Sequence, residues 1–484
     1  MKHIALFLFV AFSAMNITSN LSAQTICENG FAGEYACDGY DLYTYFPLSS
    51  VGGGDNGNDC WGWVDSESGR EFVLFGRSDG MSVVEITDPL APSYIANLPT
   101  ATYPSLWRDI KVVGDYAFIG SEAGMHGMQI LDLTQVLDLS GFPFNITATS
   151  NYLGFGNAHN LAANPETNYV YGVGTNTFGG GLHIVDVSNP EAPFLAGSYD
   201  GAYSHDVQPV IYNGLDVDYQ GQEIVFCFNG QNGLAIVNAE DKSDVYLIKA
   251  ITYEDGFYTH QGWLSEDHHM LYFNDELDET YNGNNTRTYM MNVDDLDNPV
   301  IVGFYESENT AIDHNLYTHN GLLYASNYRS GLRVSTILED GSIEPQGYFD
   351  TYPADDFAEF DGTWSNYPYF PSGSIAVSNF DGLFILRASS IPESIESTDL
   401  ELPAFGFTPN PASSSLLLSG SFVNCDVVIH DVSGREALRV NSIPAVNGLH
   451  LDIDALTDGV YIVNLIDSKS GVINATEKLV VAPH

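Results

Sequence analysis

The chain has 484 residues, with 63 acidic and only 15 basic side chains and a formal net charge of −48. Such a surface repels nucleic acid and anionic membrane, and it suits divalent cations, cationic partners or a salty medium. With charged residues at 16% and aromatics at 13%, the composition is that of a folded chain rich in strands and turns, not of a disordered acidic one.

Residues 1–23 carry Lys2 and His3, an apolar run from Ile4 to Met15, and then Leu21-Ser22-Ala23. This is the pattern of a secretory signal peptide cleaved after Ala23. The run is too short to span a bilayer, and no later segment reaches the ~20 apolar residues of a transmembrane helix. The expectation is an exported chain with no transmembrane segment. Cys27 and Cys37 lie close together just beyond the cleavage point and are expected to form a disulfide outside the cell. Cys60, Cys227 and Cys425 sit in strand-like contexts and read as buried packing thiols.

The body of the chain is a repeat. A glycine turn leads into a short apolar strand, an Asn/Asp-Pro breaker and a second strand, most fully in Gly181–Tyr199. The same phrase starts at Gly80, Gly127, Gly233, Thr288, Gly331 and Gly382, at intervals of 43 to 55 residues. Short strands at this period predict a β-propeller with one four-stranded blade per copy, and seven copies predict seven blades. The seventh copy lacks a fourth strand after Arg387, while an unclaimed strand lies at Asp41–Leu48. Placing that strand in the last blade closes the ring and leaves no open edge. The propeller is thus expected over 24–387, with 41–48 closing the last blade.

The inner strands carry a second repeated signal. Aligning the units brings Trp61, Arg108, His159, His205, His260, His314 and Trp364 to one position, followed by Gly62, Asp109, Asn160, Asp206, Gln261, Asn315 and Ser365. All would begin their strands at one mouth of the central channel. Imidazoles beside carboxylates suit zinc, copper, nickel or iron, so His159, His205, His260 and His314 are candidate ligands of a transition metal. Trp61, Arg108, Asp109, His159, His205, Asp206, His260, His314 and Trp364 are candidate ligand contacts at that mouth. The competing reading of the same residues is hydrogen bonding between blades.

In the fourth unit, Asp216 and Asp218 precede a glycine turn and Glu223, which resembles the opening of a calcium loop. Cys227 falls where such a loop ends in an acid, and a solvated acidic turn is the competing reading. The run Asp275-Glu276-Leu277-Asp278-Glu279 reads as a solvated loop near the rim. No Gly-x-Ser-x-Gly elbow and no His-Glu-x-x-His helix appears. Trp61, Trp63, Trp107, Trp263 and Trp364 lie near the same mouth and could stack on a sugar or an aromatic ligand.

Residues 388–403 are polar and read as a linker. Beyond them, short strands around Val427–Val432, Leu449–Ile453, Val460–Val463 and Lys478–Val481 predict a small β-sandwich over 404–484. Its PNPAS, DVSGRE, LTDGVYIV and terminal KLVV, in that order, resemble the type A C-terminal sorting domain of the type IX secretion system of Bacteroidota. The resemblance implies recognition by that secretion machinery and export across the outer membrane, with the product released or attached at the cell surface. The propeller, through SLWRDIKV, GLHIVDVSNP, SHDVQPVIYNG, YTHQGWLSEDHHMLYFNDELDE, AIDHNLY and NYRSGLR, resembles the choice-of-anchor B family, whose repeats are also described as LVIVD repeats. That resemblance implies surface display and carries no catalytic residues with it.

The sequence thus reads as an all-β, exported binding or interaction module, with a glycan or protein ligand at the propeller mouth and calcium or a transition metal as the cofactors its residues would suit. A second reading is a propeller hydrolase or lyase acting on extracellular polysaccharide or another polymer, assisted by a metal.

Overall fold

The computed structural model describes residues 24–389 apart from 142, and, in the tail, 406–408, 412, 414–419, 425–431, 435–443, 449–457, 459–467 and 473–481. The signal peptide expected over 1–23 and nearly all of the linker expected over 388–403 lie outside the described residues. The chain divides into two units, Met1–Ser390 and Ile391–His484.

The first unit is a seven-bladed β-propeller. Its innermost strands are Gly57–Val64, Ile110–Val113, Asn160–Asn164, Asp206–Ile211, Thr259–Leu264, Leu316–His319 and Thr363–Tyr367. They touch in that cyclic order, and the last returns to the first. Each begins an antiparallel sheet that runs outward. In the third blade, Asn160–Asn164 pairs with Tyr169–Val173, then Leu182–Asp186, then Phe194–Tyr199. The middle strands are covered on both faces by neighbouring blades, so they are mostly apolar with polar residues at their ends: Glu71–Arg77 and Met270–Asp275 are buried at every residue. Outer strands are more exposed, and Val300–Glu306 alternates between exposed and half-buried residues.

Burial is organised by interface. Phe72, Leu74 and Met81 of the first blade meet Ala117, Ile119 and Leu131 of the second. Ile224, Phe226 and Phe228 of the fourth meet Leu271, Phe273 and Met291 of the fifth. The closing interface is built the same way, with Cys60, Val73 and Phe75 against Ala376, Leu383 and Ile385. The glycine that opens most third strands has a local cause: Gly127, Gly233 and Gly331 have φ of +65°, +74° and +79°, and a Cβ there would run into a backbone carbonyl of the outer strand. The fifth blade departs from this rule. Its third strand, Arg287–Asn292, follows a short helix, Asp278–Asn282, in place of the glycine turn.

The outer strand of the seventh blade is Tyr40–Pro47, which pairs with Gly382–Ala388. Just before it, a hairpin of Phe31–Ala32 and Tyr35–Asp38 adds to the outside of the sixth blade, with Cys37 opposite Phe349. Cys27 and Cys37 are joined as a disulfide, which fastens the segment leading into this hairpin. Cys60, Cys227 and Cys425 are free and buried. A fifth strand, Phe144–Asn145, lies parallel to the outer strand of the first blade.

The second unit has a three-stranded sheet, Gly406–Thr408, Ser415–Ser419 and His450–Asp452, and a four-stranded sheet, Cys425–Asp431, Glu436–Ile443, Gly459–Asp467 and Ile473–Val481. One core joins them, with Leu416, Leu418 and Leu451 from the first and Val427, Ile429, Val463, Leu465 and Leu479 from the second. It is a small β-sandwich.

Candidate functional site

Each inner strand is fixed at its start by its own blade: His159 N donates to Val173 O at 3.0 Å and His205 N to Phe228 O at 2.7 Å. Four successive blades therefore deliver imidazoles to one mouth of the channel. The ring centroids of His159 and His205 are 4.1 Å apart, those of His205 and His260 4.3 Å, and those of His260 and His314 4.3 Å. Trp364 continues the arc 5.0 Å from His314. The arc is directional. His205 Nδ1 faces His260 O at 3.3 Å, and His314 Nδ1 faces Trp364 O at 2.5 Å. With Nδ1–H donated to a backbone carbonyl of the next blade, the lone pair of His205 and of His314 is on Nε2, the tautomer that can bind a metal through that nitrogen.

The carboxylate of this site comes from the fifth blade. Glu276 Oε1 lies 3.9 Å from His260 Nε2 and 3.8 Å from His314 Nε2, and it accepts from Tyr328 Oη–H at 2.9 Å. Its backbone is held by its neighbour: Asp275 accepts from Tyr253 Oη–H at 2.7 Å, Phe257 N at 2.7 Å and Tyr258 N at 2.8 Å. His205, His260 and Glu276 each offer a ligand atom within 4.8 Å of the others. Burial, with the neighbouring imidazoles, holds His205 and His260 well below the ordinary histidine range, and burial brings His314 down to about 4. Burial pushes Glu276 up to about 7. The imidazoles are thus neutral at physiological pH. Two neutral imidazoles and a carboxylate match the two-histidine, one-carboxylate sets that bind divalent transition metals and leave positions open to solvent or ligand.

The channel has a second feature, formed by later residues of the same strands. A cavity of 480 Å³ is walled by Trp61, Trp63, Trp263, Tyr317, Tyr367 and Tyr369. Lys111 and Asp206 supply polar groups to it. Lys111 Nζ sits 4.7 Å from the centre of the Trp61 ring and 2.7 Å from Asp109 Oδ1.

Comparison with known proteins agrees with the two-part architecture. The LVIVD repeat family matches residues 107–133 and 156–201, which fall in the second and third blades. The secretion system C-terminal sorting domain family matches 407–482. The chain carries LVIVD repeats and a secretion-system sorting domain. That tail marks it for the type IX secretion machinery and for export to the cell surface or beyond it, so the protein is a secreted, surface-associated β-propeller. Among the described residues no helix is long and apolar enough to cross a membrane. Among solved structures, it is similar to PorZ, a surface component of the type IX secretion system of Porphyromonas gingivalis, at 13% identity and a TM-score of 0.45. That match covers 89% of this chain and 60% of PorZ, so the chain spans less than two thirds of PorZ's length. It is also similar to the WD40 β-propeller domain of Doa1, at 12% identity and a TM-score of 0.47, over 72% of this chain and 96% of that one. No curated protein matches it by sequence.

Several residues aligned with the histidines of the arc stand elsewhere. Trp61 is in the aromatic cavity, farther along the first inner strand, Gly57–Val64, than the position that matches Arg108. The counterpart of Asp109 in that blade is Asp59. Asp59 Oδ2 accepts from Ile110 N at 3.1 Å, and Asp109 Oδ2 accepts from Leu161 N at 2.6 Å. Gln208 and Gln261 do the same for Leu264 N and Leu316 N, each at 2.8 Å. Asp109 is therefore a tie between blades and not a free group at the mouth. Arg108 is buried too, donating to Arg77 O at 2.9 Å and Thr100 Oγ1 at 2.8 Å. Asp206 accepts from Val207 N at 2.6 Å and lines the aromatic cavity. His159 stays in the arc, but its Nδ1 is engaged by Glu122 Oε1 at 2.5 Å.

The calcium set of Asp216, Asp218 and Glu223 is not assembled. Glu223 begins a buried strand, where its carboxylate accepts from Asn164 Nδ2 at 2.8 Å and Lys242 Nζ at 2.7 Å. Asp216 groups instead with Asp295 and Asp297 at the surface. The run 275–279 is not a solvated loop: Asp275, Asp278 and Glu279 are buried. Glu276, missed by the alignment because it lies on the turn after a second strand, was signalled only by belonging to that run in a blade that breaks the repeat.

Proposed function

We propose that the protein is an extracellular binding module whose channel mouth holds a divalent transition metal through His205, His260 and Glu276, with His314 beside them and the open positions of the ion facing the ligand. In this reading the propeller over 24–387 is the working part, and the sorting domain over 404–484, joined by the linker at 388–403, is its address. The observation that supports the proposal is the convergence of two neutral imidazoles and a buried carboxylate, with ligand atoms within 4.8 Å of one another, where a carbonyl of the adjoining blade sets the tautomer of His205. The test is titration of the purified full chain with Zn²⁺ by calorimetry. One ion per chain is expected, lost in His260→Ala and Glu276→Gln. Unchanged binding in both variants would remove the site.

The aromatic cavity supports a second ligand position, for a ring with an apolar face and polar rim such as a sugar. Six Trp and Tyr rings around 480 Å³ offer stacking area, and Asp206 and Lys111 offer hydrogen bonds. Glycan-array binding that survives chelation but is lost in Trp263→Ala would assign the ligand to this cavity.

A further inference from the structure

The interface between the fifth and sixth blades is apolar where Met270 and Tyr272 meet Leu316, Leu323 and Ala325. Beside these residues it opens into a cavity of 620 Å³, whose wall includes Arg333, Asn327, Asp350 and Asp356 with the rings of Tyr305 and Tyr348. The register of the sixth blade brings most of them together. Ala325, Arg333 and Tyr348 stand opposite one another across three adjacent strands. Asn327, two residues beyond Ala325, leaves the same face, and Asp350 lies two residues beyond Tyr348. Arg333 Nε donates to Ser330 O at 2.9 Å, and the guanidinium lies 4.5 Å from the centre of the Tyr348 ring. Among the described residues its terminal nitrogens have no hydrogen-bond partner and no carboxylate pairs with it, whereas Arg70, Arg77, Arg287 and Arg329 are each paired at 3.0 Å or less. Asn327 is 5% exposed, and its Oδ1 is buried without a partner. Asp350 accepts from Tyr352 N at 2.8 Å, and among the described residues neither it nor Asp356 pairs with a Lys or Arg. Burial pushes Asp350 up to about 6, which leaves it ionised at neutral pH.

Unused donors and unused acceptors thus line one space. The terminal N–H groups of a guanidinium offer the paired donors that fit a carboxylate. A ligand with carboxylates alone would also meet Asp350 and Asp356, and one with an amine alone would meet Arg333. A molecule that carries both groups close together satisfies each side. We propose that this cavity binds a free α-amino acid, its carboxylate on Arg333, its ammonium on Asn327 Oδ1 and the carboxylates of Asp350 and Asp356, and its side chain against Tyr305 and Tyr348. An ammonium has three donors and no acceptor, which suits an amide oxygen and two carboxylates. Binding would also supply partners to polar groups that are costly to leave without them. The inference is independent of the ligands proposed for the mouth and for the aromatic cavity, since it shares no residue with either.

The test is thermal unfolding of the full chain at neutral pH with each of the L-amino acids in turn, at about 10 mM, since a ligand that binds only the folded state raises the midpoint. At least one should raise it by about 2 °C or more. The amine that lacks the carboxylate of that amino acid, and the acid that lacks its ammonium, should each give less than half of the rise. Arg333→Met keeps the stem over Tyr348 and should lose the rise. Asp350→Asn should also bind the amino acid more weakly, yet give a larger rise than the parent with the acid that lacks the ammonium. That exchange of preference separates loss of a contact from failure to fold. His260→Ala and Trp263→Ala should keep the full rise, so that failure of either other reading leaves this one standing. No rise with any amino acid, a full rise with the amine or the acid alone, or a full rise in Arg333→Met would each overturn the assignment.

Discussion

Replacing Lys111 by Met tests whether the charged residues at the start of the inner strands hold blades together or wait for a ligand. The ammonium is buried, 2.7 Å from Asp109 Oδ1 and 3.4 Å from Asp59 Oδ2. Each of those carboxylates also caps an amide of the next inner strand. Burial works against the Lys111 charge, but Asp109, Asp59 and Asp206 outweigh it and hold its pKa above the usual lysine value. Met keeps the length of the side chain and its contact with Trp61 while removing the charge. Two buried carboxylates then face each other uncompensated, and breaking such a pair costs about 3–5 kcal/mol. Chemical unfolding at neutral pH should read this as a lower midpoint with an unchanged slope. The deficit should shrink as pH falls, because burial raises the pKa of Asp109 and protonation relieves it. Lys111→Met/Asp109→Asn should recover about 2 kcal/mol of the loss, since the coupled partner is now neutral. A Lys111→Met protein within about 1 kcal/mol of the parent, or a double variant with no recovery, would refute the reading of Asp59 and Asp109 as ties between blades.

Three further outcomes follow from the same structure. Changing Cys27 and Cys37 to Ser opens a loop with a sequence separation of 10 residues and should cost about 2–3 kcal/mol in reversible unfolding, with the blades otherwise intact. Deleting residues 24–47 removes the outer strand of the seventh blade and the hairpin on the sixth; the exposed edge should drive self-association, seen as early elution in size-exclusion chromatography, whereas a stable monomer would show that Tyr40–Pro47 is dispensable. Burial and the Arg108 charge bring His126 down to about 4 from 6.5. The unfolded chain therefore binds a proton that the folded one refuses, so His126 withdraws roughly 3 kcal/mol of stability as pH falls from 6.5 to 4. NMR titration should find its ring still neutral at about pH 5, and a ring titrating near 6.5 would contradict the burial argument.

The fold is legible in the sequence because a propeller repeats its local rules. The glycine that opens the third strand lies where a Cβ would meet the outer strand, so it recurs in every copy but the fifth, whereas the Asn/Asp-Pro breaker after the strand recurs in only some of them. The strand read at 41–48 lies in the structure at Tyr40–Pro47, since a missing fourth strand at one end and a spare at the other leave one arrangement that closes the ring. The hairpin at Phe31–Asp38 was not legible, because its strands are too short to show alternation. Within the site, the histidines were visible through spacing alone. Trp61 was misplaced because spacing alone does not show that Asp59, and not Gly62, is the counterpart of Asp109. Burial of Asp278 and Glu279 was hidden for a different reason: an acidic run looks the same whether it faces water or the interior. What the sequence did show there was a blade lacking its glycine turn.

The most direct test of the mouth as a metal centre is elemental analysis of the purified full chain after equilibration with Zn²⁺ and removal of loosely held ions. One zinc per chain in the parent, with none in Glu276→Gln or His205→Ala/His260→Ala proteins that still unfold cooperatively, is the result this account expects. A parent that retains no zinc, or variants that retain as much as the parent, would contradict it and leave the histidine arc as a stack that joins four blades.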